Sequence, residues 1–142
     1  MSAPEVAVDD DRSRLLDVLA GLATGDEVEE QHLEFAQGWV ASDARLYRAE
    51  AADVPATHLV SYFVPWDAAS ERVLLVAHRK AGLWLPPGGH VEPGEGPWTT
   101  VCRECREELG CPAVASALTG PHPLLVSVTQ TRGPGRHTDV SL

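Results

Sequence analysis

The chain has 142 residues, 44% of them hydrophobic, and a formal net charge of −10, values that suit one globular domain with its own core. No apolar stretch approaches the roughly 20 residues of a membrane span, and the N-terminus lacks the features of a secretory signal. We therefore expect a cytoplasmic protein that is not bound to membrane. Residues 61–142 carry a net charge of only −1. The sequence shows no basic face of the kind that binds nucleic acid, so we expect no nucleic-acid partner.

The first part of the chain predicts a tail followed by two helices. Residues 1–10 are expected to be disordered, and residues 12–24 to form a helix with its leucines on one stripe. Asp26 then begins a second helix, in which Glu29 completes a capping-box-like pair. We therefore predict that residues 1–56 form a tail, a helical hairpin and an irregular connector.

The period of the apolar residues then becomes strand-like. Residues 58–65 and 72–78 predict two strands joined as a hairpin. Leu83–Leu85 is a short apolar run, and Pro86–Gly89 predicts a tight turn. Pro97–Leu109 predicts a helix, because proline suits a first helical turn and a glycine follows the last residue.

Two more strands are expected near the end of the chain, and the last of them, residues 138–142, ends with the chain. An uncovered sheet face and a cut strand would expose apolar surface and unpaired backbone groups. Either the N-terminal hairpin covers that face, or the chain is a truncated form of a longer protein. We favour truncation, which leaves residues 57–142 as a domain without its C-terminal part.

Three glutamates of the predicted helix share one face, because they are related by steps of three and four residues: Glu104, Glu107 and Glu108. Stacked carboxylates repel one another and destabilise a helix by a few tenths of a kcal/mol per pair, roughly. A hard cation such as Mg²⁺ or Mn²⁺ would favour this arrangement, since it prefers carboxylate oxygens and phosphates. The alternative is a solvated acidic face whose arginines form helix ion pairs.

The loop Pro86–Gly96 (PPGGHVEPGEG) favours the metal-site interpretation. Its glycines let backbone approach a ligand closely, and it leads into a helix N-terminus with partial positive charge. Glu92 and Glu95 in this loop lie near enough to the helix to join its carboxylates. A glycine-rich loop with two glutamates that opens a helix with three more indicates a phosphate and metal site.

Residues Gly89–Cys111 resemble the Nudix box, which runs Gly, five residues, Glu, seven residues, Arg-Glu, apolar, any, Glu-Glu, any, Gly, apolar. This chain has Gly89, Glu95, Arg103-Glu104, Glu107-Glu108 and Gly110 at the seven invariant positions, and cysteine at both apolar ones. The flanking pattern resembles the wider family over roughly residues 57–142. The resemblance implies an α/β/α sandwich with a mixed sheet, preceded here by the helical hairpin.

The resemblance also implies roles for the residues of the box. Glu104, Glu107 and Glu108 would bind Mg²⁺ or Mn²⁺, with a carbonyl near Gly88 as a further ligand. Arg103 would orient the glutamates, and either Glu107 or Glu108 would take a proton from the attacking water. The expected activity is hydrolysis of the pyrophosphate bond of a nucleoside diphosphate linked to another moiety.

Four residues are candidates for binding substrate or supporting the loop that holds it: Arg79, Lys80, Gly89 and Glu95. For Arg79 and Lys80, a solvated strand end is an equal alternative. Trp66 and Trp84 are expected to pack in the core rather than to stack on a base. His137 and Asp139, on the last strand, are expected to be structural.

Two alternative functions stay open at this point. A Nudix domain that senses a nucleotide without turnover would use the same fold, although such domains usually lose the glutamates. An enzyme resembling isopentenyl diphosphate isomerase would also share the fold. The identity of the nucleotide is not readable from the box, and a homodimer is compatible with the sequence.

Overall fold

A computed structural model describes residues 3–48 and 54–142 of the chain. Its helices are α1 (Ala3–Ala20), α2 (Glu27–Ala41) and α3 (Pro97–Glu104), and a π-helical turn, Cys105–Leu109, continues α3. The strands are β1 (Thr57–Tyr62), β2 (Trp66–Asp67), β3 (Arg72–Val73), β4 (Val76–His78), β5 (Leu83–Leu85), β6 (Gly88–His90), β7 (Ser127–Gln130) and β8 (Thr138–Ser141). Within the described residues, no helix has both the length and the hydropathy that a membrane crossing requires.

Helix α1 begins and ends earlier than the sequence predicts. Residues 3–10, expected to be a disordered tail, are helical, whereas residues 1–2 lie outside the described part. Contacts distant in sequence hold the helix at the two residues that follow this segment. Asp11 is buried and accepts a hydrogen bond of 2.6 Å from the Tyr47 hydroxyl. Arg12 donates to the carbonyl oxygens of Val40, at 2.9 Å, and Ser42, at 2.7 Å.

Helix α2 begins where the capping pattern predicts. The Asp26 side chain accepts a hydrogen bond of 2.9 Å from the Glu29 backbone N–H. The Glu29 carboxylate in turn accepts one of 2.6 Å from the Gly25 N–H. This reciprocal pair satisfies backbone donors that a helix start leaves free, and the prediction is confirmed. Residues 49–53 of the predicted connector lie outside the described residues.

The main sheet has four strands in the order β6-β1-β8-β7. Strand β1 pairs antiparallel with β6 and parallel with β8, while β7 and β8 are antiparallel. The predicted α/β class with a mixed sheet is therefore confirmed. Gly88–His90, at the end of the predicted tight turn, instead forms edge strand β6, because its backbone pairs with β1.

The predicted strand 72–78 is split between two small hairpins. Its first part pairs with β2, and its last part, β4, pairs with β5. Both hairpins lie largely at the surface, so Trp66 and Trp84 are exposed to 53% and 70%. The expectation that these tryptophans pack in the core is wrong, because the strands that carry them do not join the main sheet.

Helices α1 and α2 pack against one face of the main sheet. One cluster of buried apolar side chains joins both helices to four segments of the sheet region: Leu15, Leu19, Ala36, Val40, Leu46, Leu59, Val91, Val126, Val140 and Leu142. The helical hairpin therefore covers this face, as one of the two alternatives for the sheet supposes. The truncation itself stays a prediction.

Leu19→Ala tests this packing. The Leu19 side chain is fully buried, so its truncation leaves a cavity between α1 and the sheet and is expected to cost about 2–5 kcal/mol of unfolding free energy. Urea unfolding followed by circular dichroism measures the loss. Leu118→Ala is the control, because Leu118 is 87% exposed and its removal should change stability by less than about 0.5 kcal/mol. Equal stabilities for the two variants would contradict the packing of α1 on the sheet.

Candidate active site

Two consecutive glycines let the loop before α3 approach its neighbours closely. A Cβ at Gly88 would lie 2.2 Å from the Ser61 carbonyl oxygen on β1, and Gly88 has φ +153°. A Cβ at Gly89 would lie 2.2 Å from a carboxylate oxygen of Glu104. No real side chain tolerates either distance, so the glycines allow β6 to pair with β1 while Glu104 packs directly on Gly89.

Arg103 lies at the centre of the site and donates hydrogen bonds to three partners. Its Nε and one terminal nitrogen lie 2.9 Å from the two carboxylate oxygens of Glu95. Nη1 donates a hydrogen bond of 2.7 Å to Glu104. Nη2, the terminal nitrogen that bonds to Glu95, also donates one of 2.9 Å to the His90 carbonyl oxygen. This forked pairing with Glu95 is a geometry that arginine offers and lysine lacks. Arg103 thus joins α3, the box loop and β6.

Glu95 is held by more donors than Arg103 alone. Its carboxylate also accepts hydrogen bonds from the Thr100 hydroxyl, at 2.9 Å, and from the Glu92 N–H, at 3.2 Å. The hydrogen bond from Arg103 is the largest cause that lowers the pKa of Glu95, and Thr100 and Glu92 lower it further against the effect of burial. Glu95 is therefore an ionised residue that supports the loop and holds the Arg103 guanidinium in one orientation.

The lowered pKa of Glu95 predicts a stability that depends on pH. Because the folded state binds this proton more weakly than the unfolded state, the contribution is present above the unfolded pKa of about 4.3 and is lost as the pH falls through the lower folded pKa. Glu95→Gln should cost about 2 kcal/mol at neutral pH, and the difference from the native protein should shrink in acid.

Urea unfolding between neutral pH and about pH 3, below the unfolded pKa of glutamate, measures this difference. Glu34→Gln, on the exposed side of α2, controls for the loss of one negative charge. A cost for Glu95→Gln that stays constant down to the acid end would contradict the role of its ionised form.

Glu104, Glu107 and Glu108 gather around the end of α3 and the start of β6. Glu104 is nearly buried, at 12% side-chain exposure, whereas Glu107 is 59% exposed and lies 3.5 Å from Arg103. Glu108 is exposed overall, yet partial desolvation is the largest cause that raises its pKa, and the charges of Glu104 and Glu107 raise it further. A hydrogen bond from the Gly88 N–H opposes them. The three carboxylates are thus close enough to repel one another.

Glu107 and Glu108 lie on the π-helical turn rather than on a regular α-helix. The sequence predicts an uninterrupted α-helix to Leu109, but the last five residues, Cys105–Leu109, have the wider π geometry. Gly110 ends the turn with φ 70° and ψ 17°, the left-handed conformation expected of a glycine at that position. Single π turns inside α-helices are frequent at functional sites.

Arg79 and Lys80 lie in the turn between β4 and β5 and are exposed. Their position beside the glutamates is not shown by a contact, and their role in substrate binding stays a prediction. The neighbouring His78 is close enough to Glu108 that its charge lowers the pKa of that carboxyl group. The sequence analysis did not single out His78, and its place on strand β4 carries no local signal of this proximity.

Asp11 of α1 is a second residue that sequence reasoning missed. Its carboxylate accepts a hydrogen bond of 2.9 Å from the Gly94 N–H in the box loop. Helix α1 therefore contacts the loop that leads into α3, as well as the hydrophobic face of the sheet. Nothing in the local pattern around Asp11 indicates this contact, because Gly94 is far away along the chain.

Comparison with known proteins adds independent evidence. A family profile described as NUDIX domain matches residues 56–141. The chain is 47% identical over 47 residues to an asymmetrical bis(5'-nucleosyl)-tetraphosphatase of Sus scrofa. The matched segment covers 33% of this chain and 32% of that protein. It is 43% identical over 51 residues to a putative 8-oxo-dGTP diphosphatase of Bacillus subtilis (strain 168), covering 36% and 34%.

An uncharacterized Nudix hydrolase of the same bacterium, YvcI, is 40% identical over 50 residues. The matched segment spans about a third of the length of these relatives, 32% to 34%. The family profile covers more than half of the chain, and Arg103 joins three glutamates of the box, Glu95, Glu104 and Glu107. This chain belongs to the Nudix family.

Proposed function

We propose that this Nudix domain is a pyrophosphohydrolase that cleaves the diphosphate linkage of a nucleoside diphosphate joined to another moiety, with Mg²⁺ or Mn²⁺ as cofactor. The observation that carries the proposal is the gathering of three carboxylates, Glu104, Glu107 and Glu108, beside Gly88. The names of the relatives support the substrate class, since a tetraphosphatase and a diphosphatase both act on nucleotide phosphoanhydrides.

The residues present fit a divalent cation. Oxygen donors are what Mg²⁺ and Mn²⁺ prefer, and all three carboxylates belong to the last two turns before Gly110. Desolvation is the largest cause that raises the pKa of Glu108, and the charges of Glu104 and Glu107, which a nearby cation would offset, raise it further. Arg103 forms close ion pairs with Glu104 and Glu95, whereas its distance to the Glu107 carboxylate is longer, 3.5 Å. A cation held by the glutamates would supply the remaining charge.

When bound, the cation would polarise the phosphates and lower the pKa of a coordinated water. The chain's own residues do the rest. Arg103 holds Glu104 in one rotamer, and Gly89 leaves room for that carboxylate. A carboxylate oxygen of Glu107 or Glu108 accepts the proton of the attacking water. The Gly88 carbonyl is proposed as a further oxygen ligand.

Substrate phosphates are proposed to approach along the side of the β4–β5 turn. Arg79 and Lys80 lie there with exposed side chains, and their positive charge suits a polyphosphate. Gly89 allows close approach of the backbone, and Glu95 keeps the loop in place through Arg103. The relatives named as tetraphosphatases favour a substrate with several phosphates in a chain over a simple nucleoside diphosphate.

A panel assay tests the proposal. The purified chain is incubated with Mg²⁺ or Mn²⁺ and a set of dinucleoside polyphosphates, nucleotide sugars, oxidised and ordinary nucleoside triphosphates and isopentenyl diphosphate. We expect release of a nucleoside phosphate from at least one nucleotide, abolished by EDTA and restored by Mg²⁺. Tight nucleotide binding without turnover would support a sensing module instead, and conversion of isopentenyl diphosphate alone would support the isomerase-like alternative.

A further inference from the structure

A second cluster of metal-binding side chains lies outside the box, between β1 and β8. His58 and Asp139 are partners in the parallel register of these strands, and His137 comes just before β8. Nε2 of His58 lies 3.3 Å, and Nε2 of His137 3.2 Å, from the same oxygen, Oδ1 of Asp139. The three ligand atoms all lie within 4.8 Å of one another.

The backbone determines which ring nitrogen of each histidine carries a hydrogen. Nδ1 of His58 lies 3.2 Å from the Pro55 carbonyl oxygen, and Nδ1 of His137 lies 3.0 Å from the Gly135 carbonyl oxygen. A carbonyl oxygen only accepts hydrogen bonds, so each Nδ1 must donate. In the neutral rings both Nε2 atoms are then bare acceptors. Two nitrogen lone pairs and a carboxylate oxygen therefore face one another.

Two of the three side chains are buried, and His137 is partly exposed. His58 is 1% exposed and Asp139 is 5% exposed. Among the described residues, neither Nε2 of His58 nor Oδ1 of Asp139 makes a hydrogen bond of acceptable geometry, although the two atoms lie only 3.3 Å apart. Buried acceptors that face acceptors are costly unless a cation lies between them.

We propose that His58, His137 and Asp139 bind one transition-metal ion, and that Zn²⁺ is the ion this ligand set favours. Bonds of about 2.0–2.2 Å in a tetrahedral site place neighbouring ligand atoms about 3.3–3.6 Å apart. The distances from Oδ1 of Asp139 to the two Nε2 atoms, 3.3 Å and 3.2 Å, lie at the short end of that spacing. Imidazole nitrogens suit Zn²⁺, whereas Mg²⁺ requires an octahedron of oxygens.

The surroundings of the cluster also resemble those of a metal site. Histidines that bind metal usually donate their other nitrogen to a carbonyl or carboxylate, as both histidines do here. The second oxygen of Asp139 accepts a hydrogen bond of 3.3 Å from the Tyr62 hydroxyl, which holds the carboxylate in place. Three protein ligands leave the fourth tetrahedral position to water.

The proposed ion would tie β1 to β8 and to the segment that enters β8. A ligand that binds only the folded state stabilises it. This ion would differ in chemistry from the one proposed at the glutamates, because nitrogen ligands replace most of the oxygens. The two sites can therefore be tested separately, and a failure of the hydrolase proposal would leave this inference standing.

Isothermal titration of the full chain with Zn²⁺, in an excess of Mg²⁺ that occupies the glutamates, tests the proposal. We expect one equivalent of Zn²⁺ and a higher melting temperature on binding. His137→Asn should weaken this binding by at least about 100-fold, more than the loss of an outer-shell partner. His137 is 31% exposed at its side chain, so its replacement leaves no large cavity. His122→Asn, an exposed histidine outside the cluster, should bind like the native chain.

Glu104→Gln combined with Glu107→Gln and Glu108→Gln should also keep this Zn²⁺ equivalent. Nitrogen NMR of the native chain provides a second measurement that needs no variant, since Zn²⁺ should shift the Nε2 signals of two histidines. The proposal is overturned if the native chain binds no Zn²⁺ in excess Mg²⁺. It is also overturned if His137→Asn binds as tightly as the native chain, or if binding disappears with the three glutamates.

Discussion

Glu107→Gln and Glu108→Gln are each expected to lower kcat for metal-dependent hydrolysis by at least about 100-fold, equivalent to about 3 kcal/mol of transition-state stabilisation. Each change removes one negative oxygen that would face the cation while it keeps the shape of the side chain. Steady-state kinetics with the best substrate of the panel, over a range of Mg²⁺ concentrations, measures the loss. Glu34→Gln on α2 is the matched control and should be within twofold, roughly, of the native rate, as for a surface change.

Stability should move in the opposite direction for Glu108→Gln. Burial and the neighbouring carboxylates raise the pKa of Glu108 in the folded state, so its ionised form destabilises the metal-free protein as the pH rises through that pKa. The metal-free variant should therefore melt at or above the temperature of the native chain at neutral pH.

Activity within a few-fold of native in both glutamine variants would remove these residues from the reaction.

Arg103→Ala is expected to have the largest combined effect on stability and activity. The side chain of Arg103 is 24% exposed, and those of its partners Glu95 and Glu104 are 15% and 12% exposed. Removing the guanidinium leaves two mostly buried carboxylates without a cation, which should cost about 3 kcal/mol of unfolding free energy. Hydrolysis should fall by at least about 10-fold, because Glu104 loses its fixed rotamer.

Two further variants separate charge from geometry at this position. Arg103→Lys keeps the charge but cannot reach Glu95, Glu104 and the His90 carbonyl together, so it should recover stability only in part. Arg106→Ala removes an exposed arginine from the same π-helical turn and should change little. Thermal melting and titration with Mn²⁺ measure both effects. Native melting temperature and native Mn²⁺ affinity in Arg103→Ala would contradict the role of Arg103 as the centre of the site.

Local sequence determined the features that depend on residues a few positions apart. The capping pair of Asp26 and Glu29 follows from chemistry within one helical turn, and so does the left-handed Gly110 at the end of the π-helical turn. The box likewise indicates the family through the spacing of its glycines and glutamates alone. Such features are readable because their physical causes are contained in short segments.

Tertiary structure alone decided where distant segments meet. Helix α1 is docked through Asp11 and Arg12, which bond to partners far along the chain. Strand β6 exists because β1 lies beside it, and the segment 72–78 divides because each half finds a different partner. The convergence of His58 and Asp139 depends on the parallel pairing of β1 with β8. No local pattern encodes that pairing, because its partners lie far apart along the chain. The pairing and burial that stabilise it arise only once the two strands are adjacent.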